Sequence, residues 1–451
     1  MTAETMMAQA TREKNTYRGE FEALSESLRG NEPSWLARLR GGAFEQFEAA
    51  GFPTTDEEDW KYTNVAPIAR VNFRVAVEPN PFAPDAEAIG PFLYAESRQS
   101  RLVFVNGIYR PELSSLEALP EGVVAVDLAA AITDEQVETV RWHLTRSAEH
   151  SNESFTALNT AFMRSGAYLF VPRGVTVESP VHLLFLSTRS DVETFSCPRV
   201  LVIAERQSAL TVIESYASVG DAAYFTNAVT EIFVADDARV THYKVQNESD
   251  EAFHISSTRA ELGRASAYDL TTVTLGARLS RHGIEVRMDR EGAECWVDGL
   301  YLVGTGQHAD THSLIDHRRS HCTSHQNYKG ILDGKSRAVF NGRVFVHRDA
   351  QKTDAAQSNK NLLLSNEARV DTKPQLEIFA DDVKCAHGTT VGQLEEEELF
   401  YLASRGLHAD LARNLLTYGF AEEIVEKIGI DSIKAQLDAA ILNRLHARLE
   451  A

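Results

Sequence analysis

Between about residues 166 and 390 the chain is a succession of short apolar runs rich in Val, Ile, Thr, Tyr and Phe. Among them are YLFV, VHLLFL, RVLVIAE, ALTVIES, AVTEIFVA, RVTHYKV, HGIEVRMD, ECWVDGLYLVG and SRAVFNGRVFVH. Most are bounded by Gly, Asp, Asn or Ser, which is the pattern of strands separated by turns. Segments of ten or more residues with helical spacing are scarce between them. A doubly wound α/β sheet needs helices in its crossovers, so the pattern argues against that architecture. An all-β body of this length could be a sandwich, a pair of barrels, a propeller or a parallel β-helix. There is no WD or kelch-like repeat and no strict hexapeptide repeat. The many short rungs with small or polar corners make an indirect case for the β-helix, and on pattern alone the alternatives stay open.

The flanks read differently. Residues 1–165 form a mostly helical N-terminal domain with short strands. In PSWLARLRGGAFEQFEAAGF, Pro33 and Ser34 can start a helix whose apolar stripe is Leu36, Leu39, Phe44 and Phe47, although Gly41 and Gly42 weaken its middle. Asn106-Gly107 within RLVFVNGIY signals a tight hairpin turn. Phe155, Leu158 and Phe162 mark one face of a further helix that Gly166 can end. From 391 to 451 the helical pattern returns. Glu395 to Glu398 open a helix carrying Leu399, Phe400 and Leu402, which stops at Arg405-Gly406. A second helix, with Leu415 and Leu416, is expected over roughly 408–418. A third carries Ile433, Leu437, Ile441 and Leu445 at four-residue spacing, a stripe that requires a covering surface inside the chain or outside it.

Composition narrows the function. Lys plus Arg number 45 against 65 Asp plus Glu, a formal net charge of −20, which argues against a non-specific nucleic-acid binder. The four cysteines, Cys197, Cys295, Cys322 and Cys385, are far apart and include no CxxC, so neither a disulfide scaffold nor a site of closely spaced thiolates is built. The longest apolar stretches are strand-sized, well short of the roughly 18 residues of a membrane helix. MTAETMMAQATREKN has no signal-peptide core, and the protein is expected in the cytoplasm.

Three groups of residues invite chemistry. His308, His312, His317, His321 and His325 fall close together beside Cys322, and stacked coils could gather some of them, His308, His312 and His321 first, around a metal. Solvated histidines on a polar sheet face are the simpler explanation. In an extended segment Cys385 and His387 project from one face, placing a soft thiolate ligand beside an imidazole. On spacing alone the pair is either a functional site or structural filler. Asp298, Asp310, Asp316 and Asp333 could supply the carboxylate pair of a β-helix carbohydrate-active enzyme, or simply occupy turns. GxxxxGK[ST], GxGxxG and GxSxG are missing, so the chain carries no nucleotide loop or nucleophile elbow and is expected to be non-catalytic by itself.

Residues 353–407, TDAAQSNKNLLLSNEARVDTKPQLEIFADDVKCAHGTTVGQLEEEELFYLASRGL, resemble the SufB/SufD family of iron–sulfur cluster assembly proteins. FPTTDEEDWKYTNV (52–65) and FTALNTAFMRSGAYLFVPRGVTVESPVHLLF (155–185) agree, and the resemblance extends over nearly the whole chain. It implies a right-handed parallel β-helix at 166–390 between the two flanking domains. SufB-like chains carry EHEATTSKI where this one reads CAHGTTVGQL, and a cysteine where NEARVDT has none. On both counts the chain is similar to the SufD branch. The resemblance further implies a complex with a SufB-like paralogue and a SufC-like ABC ATPase. The ATPase would dock on the C-terminal helices, around Leu399, Phe400, Leu402, Leu415 and Leu416. His387 would face a transient iron–sulfur cluster at the SufB seam as an iron ligand, with Cys385 beside it. No cofactor is expected to stay on the isolated chain, and the FADH2 linked to such complexes finds no motif here. Self-pairing of the isolated chain and a purely architectural role without cluster ligands are the alternatives.

Overall fold

The structure, a computed structural model, describes residues 17–76, 84–133, 136–149 and 153–450. The first sixteen residues, including the stretch searched for a signal peptide, lie outside the described part. Two sheets, of eleven and ten strands, form the body, and successive strands of the core alternate between them. Each core strand therefore pairs, in parallel, with the next strand but one. This is a β-solenoid, and it resolves the four all-β alternatives in favour of the β-helix. Leu279, His308 and Arg337 stack in register, so the coil repeats every 29 residues there.

The last four coils carry the argument that follows. Their strands are β1 (Leu279–Met288), β2 (Glu294–Val303), β3 (His308–His317), β4 (Thr323–Leu332), β5 (Arg337–Val346), β6 (Asp354–Leu363), β7 (Arg369–Ile378) and β8 (Lys384–Gly392). Odd-numbered strands lie in one sheet and even-numbered strands in the other. Alternation sends Val286, Ile315, Val344, Val297 and Leu332 into the shared core. Burying such a side chain contributes about 1.5–3 kcal/mol.

Shape is matched between coils as well as polarity. Gly299 is in register with Tyr328, and Gly330 with Tyr301. A Cβ at Gly299 would sit 2.2 Å from the Tyr328 ring, and one at Gly330 2.1 Å from the Tyr301 ring. Each ring thus fills the space that the neighbouring coil leaves empty. One corner of the coils is equally regular. Asp237, Ala265, Gly292, His321 and Lys352 all take positive φ, and each donates its backbone N–H to a carbonyl of the following coil.

The N-terminal region does not stand apart from this body. Arg101–Val105 pairs in parallel with Val181–Thr188, and Val124–Asp127 pairs antiparallel with Gly166–Val171. Asn106 and Gly107, both at positive φ, close the expected hairpin. Helices α1 (Ser34–Ala50) and α2 (Ser154–Phe162) pack on each other and on the odd-strand sheet through Phe44, Phe47, Phe155, Phe162, Phe195 and Phe225. α1 runs unbroken through Gly41 and Gly42 because its buried stripe outweighs their cost of about 1 kcal/mol each. Asn159 of α2 donates to the carbonyls of Pro198 and Asn227, at 2.9 and 2.7 Å, stapling the helix to two coils.

At the other end of the chain lie α3 (Glu396–Ser404), α4 (Ala409–Val425) and α5 (Asp431–Glu450). α4 is a turn and more longer than the expected 408–418. Burial of Ala421, Ile424 and Val425 on the even-strand sheet carries it past Gly419. The stripe of α5 finds its covering surface inside the chain, since Ile433, Leu437 and Ile441 are buried against the same sheet. Leu445 lies outside the described side chains. α3 has no buried residue at all.

Candidate functional site at the open end of the solenoid

β7 and β8 are the terminal strands of the two sheets, and no described strand pairs with their outer edges. Pro374, which lacks a backbone N–H, is accommodated in β7 because an edge strand does not need every donor. The burial pattern changes abruptly here. β5 and β6 are largely buried, whereas β7 is half-buried throughout and β8 is exposed over most of its length. Ile378, Phe379 and Val391 are 39, 57 and 47% exposed, which is unusual for apolar residues at the ends of core strands.

Cys385 and His387 occupy inward positions of this last coil, in register with Ala355 and Gln357 of β6. They share a face as expected, yet their surroundings differ. Cys385 is half-buried against the main apolar core, while His387 is exposed. Burial, reinforced by the Asp354 carboxylate, raises the Cys385 pKa, so the group stays a thiol. His387 borders a shallow groove of about 370 Å³ shared with Trp296, His325, Gln357, Gly388 and Lys427. The Trp296 and His325 rings stack at 4.2 Å along one side. On the other, Lys427, just beyond α4, bonds Asp298 at 2.7 Å. Burial raises the Asp298 pKa, with the Lys427 ammonium opposing it. The groove therefore joins the open end of the coil to the C-terminal helices.

The five clustered histidines are dispersed. His308 and His312 lie on β3, on either side of Asp310. His312 Nε2 is 3.1 Å from Asp310 Oδ1, and Thr63 contacts both His308 and Asp310. His317 is buried against Ser324, at 2.8 Å, and His325 stacks on Trp296 in the other sheet. His321 is one of the left-handed corner residues. Among the described residues no group of three or more His, Cys, Asp or Glu side chains is placed to hold a metal ion. The aspartates are separated in the same way: Asp298 pairs with Lys427, Asp310 with Arg281, and Asp316 with Arg318 and His347.

The segment Thr54–Val65 lies across the odd-strand sheet and explains Asp310. The Arg281 guanidinium sits 3.7 Å over the Trp60 ring and pairs with Asp310, while Thr63 donates to the same carboxylate at 2.5 Å. Burial opposes ionisation of Asp310, but Arg281 and His312 outweigh it and hold the carboxyl well below the usual range. Glu58 then reaches Lys373 on edge strand β7, at 2.6 Å. A cleft of about 500 Å³ remains between this segment and the sheet, bordered by Trp60, Arg259, Glu285, His312 and Arg343. Its arginines are already paired, Arg259 with Glu285 and Arg343 with Glu377, so the cleft has no net preference for an anion.

The residues expected to dock an ATPase lie on α3 and α4, which pack on each other. Phe400 and Leu415 are 75 and 51% exposed, joined by Tyr401 and Leu411, while Leu399, Leu402 and Leu416 are half-buried. Sequence reading missed Gln357, Trp296 and Lys427. Gln357 could have been found from the coil period, since it stands 30 residues before His387, at the equivalent inward position. Lys427 carries no such signal, because only the return of α4 onto the sheet brings it close.

The fold is that of a β-solenoid whose last described strands, β7 and β8, leave their outer edges unpaired. Comparison with known proteins gives the same class a family. The model described as SUF system FeS cluster assembly, SufBD core domain, matches residues 185–420, and the SufBD protein N-terminal region matches 11–183. An iron–sulfur cluster assembly SufBD family protein of Synechocystis is 37% identical over 431 residues, covering 93% of each chain. The iron–sulfur cluster assembly protein SufD of Escherichia coli is 34% identical over 406 residues, covering 89% of this chain and 91% of the relative. SufD of Bacillus subtilis is 28% identical over 433 residues, covering 92 and 95%. The chain belongs to the SufB/SufD family of iron–sulfur cluster assembly proteins, and two of these relatives are named SufD.

Proposed function

We propose that this chain is the SufD-like subunit of an iron–sulfur cluster assembly complex. Its open end, β7 and β8, forms a seam with a SufB-like paralogue. The observation that carries this reading is the pair of strand edges that no described strand covers, with an exposed His387 on β8. Bare parallel edges with exposed apolar ends are a hazard in a protein that works alone and a docking surface in one that does not. At the seam His387 offers an imidazole to iron of the nascent cluster, which is cargo of the complex. Cys385, held as a thiol, is a neighbour or transient sulfur contact, and the cluster's thiolates come from the partner. The exposed surface of Phe400, Tyr401, Leu411 and Leu415 docks a SufC-like ABC ATPase. ATP-driven closure there reaches the seam through α4, whose end places Lys427 in the groove beside His387.

Hydrogen exchange on the purified chain with each partner tests the two surfaces separately. Addition of the SufB-like subunit should protect backbone amides of residues 369–392, and addition of the ATPase those of 396–416. Protection elsewhere, with both segments unchanged, would overturn the placement.

A further inference from the structure

The inward polar side chains next to His387 form a hydrogen-bonded column with one unused acceptor. Gln326 Nε2 donates to Ser313 Oγ at 2.8 Å, and Gln357 Nε2 donates to Gln326 Oε1 at 2.7 Å. All three residues are at least nine-tenths buried. Gln357 Oε1 has no partner. Its neighbours on β6 are satisfied. Asn361 donates to Asn359 Oδ1 at 2.7 Å, Thr372 donates to the same oxygen at 2.9 Å, and Thr389 of β8 bonds Thr372 at 3.0 Å. Among the described residues, Gln357 is thus the one side chain of β6 that keeps a buried polar atom unpaired. The residue one coil further out in the same register is His387, and both border the same groove.

A buried carbonyl without a donor is destabilising, so its retention calls for a partner. Space is kept for this amide, since a Cβ at Gly342 would lie 2.4 Å from Gln357 Nε2. We propose that Gln357 is the positioning residue of His387. When the seam closes over β8, one ring N–H of His387 donates to Gln357 Oε1, which fixes the tautomer and turns the other nitrogen, with its lone pair, toward the open end. This rests on the reading of His387 as an iron ligand. The logic is that of metal-bound histidines generally, whose second nitrogen is held by an acceptor that orients the ring and raises its basicity.

A double-mutant cycle in the reconstituted complex tests it, with iron and acid-labile sulfide per complex as the readout and chromatographic stoichiometry as the control. Gln357→Leu should lower cluster loading about ten-fold. Gln357→Glu, which keeps an acceptor at the same reach, should restore loading to near the parent level. In a His387→Ala background Gln357→Leu should have no further effect. Parent-level loading by the Leu variant, failure of Glu to rescue, or an equal loss from Leu in both backgrounds would each overturn the positioning role while leaving His387 as a ligand. Full loading by His387→Ala alone would instead overturn the ligand reading beneath it. Gln357→Met provides a second variant without a carbonyl. If both apolar variants fail to join the complex, Gln357 is a packing residue and the proposal falls.

Discussion

The two ends of the solenoid are built to opposite specifications. At the first coils, each sheet is finished by an antiparallel strand, Ile108–Tyr109 on one and Val124–Asp127 on the other, and the aromatic cluster of α1 and α2 seals the adjoining face. At the last coil β7 and β8 stop bare, with polar groups where the core should continue. Coils of a solenoid depend mainly on their nearest neighbours, so an end needs a cap or a partner. On the proposed reading the finished end holds stability and the bare end serves recognition.

Truncating an apolar side chain at each end should expose this division most strongly. Phe162→Ala, in the aromatic seal, should cost about 3–5 kcal/mol in denaturant unfolding. Val391→Ala, at the bare end, should change stability by less than about 0.5 kcal/mol. Equal costs at both ends would break the comparison. On the helical flank, Phe400→Asp combined with Leu415→Asp should reduce capture of the ATPase by at least about ten-fold while leaving thermal unfolding nearly unchanged. Removing all of 391–451 is a poorer experiment, because it would strip α4 and α5 from Val245, Leu275, Leu302 and Ile331 and uncover a core.

Strong acid should loosen the clasp between the N-terminal segment and the coil. The Asp310 carboxyl is depressed in the folded chain by Arg281 and His312 against the opposing effect of burial. Its contribution is therefore present above the unfolded value near pH 4 and is lost as pH falls further. Trp60, stacked under Arg281, should report a change in fluorescence over that range, and the change should vanish in Asp310→Asn. The smallest effect is expected at Cys385. With its thiol raised by burial and by Asp354, alkylation should be slow at neutral pH and accelerate only in alkali, and Cys385→Ser should lower cluster loading far less than loss of His387. Fast alkylation at pH 7 would show a thiolate at the seam.

Much of this was legible in the amino-acid order because alternation and turn residues are local signals. The hairpin at Asn106-Gly107, the acidic start of α3 and its stop at Gly406 follow from backbone chemistry within a few residues. The solenoid itself follows from the resemblance, since alternating strands look alike in a sandwich and in a coil until their pairing is known. The histidine cluster disperses for that reason. Alternation sends His312 outward and His317 inward, and the corner takes His321 to a third place. The partnership of Gln357 with His387 depends on register between coils, which no window of a dozen residues contains.

The most direct measurement is iron and acid-labile sulfide per complex after anaerobic reconstitution of the SufB-like, SufC-like and present chains with His387→Ala, chromatography confirming assembly. The account predicts an intact complex with unchanged thermal unfolding and strongly reduced cluster content, because removing an exposed ligand opens no core cavity. Parent-level iron and sulfide in that complex would contradict it, leaving the bare end an architectural joint without a ligand.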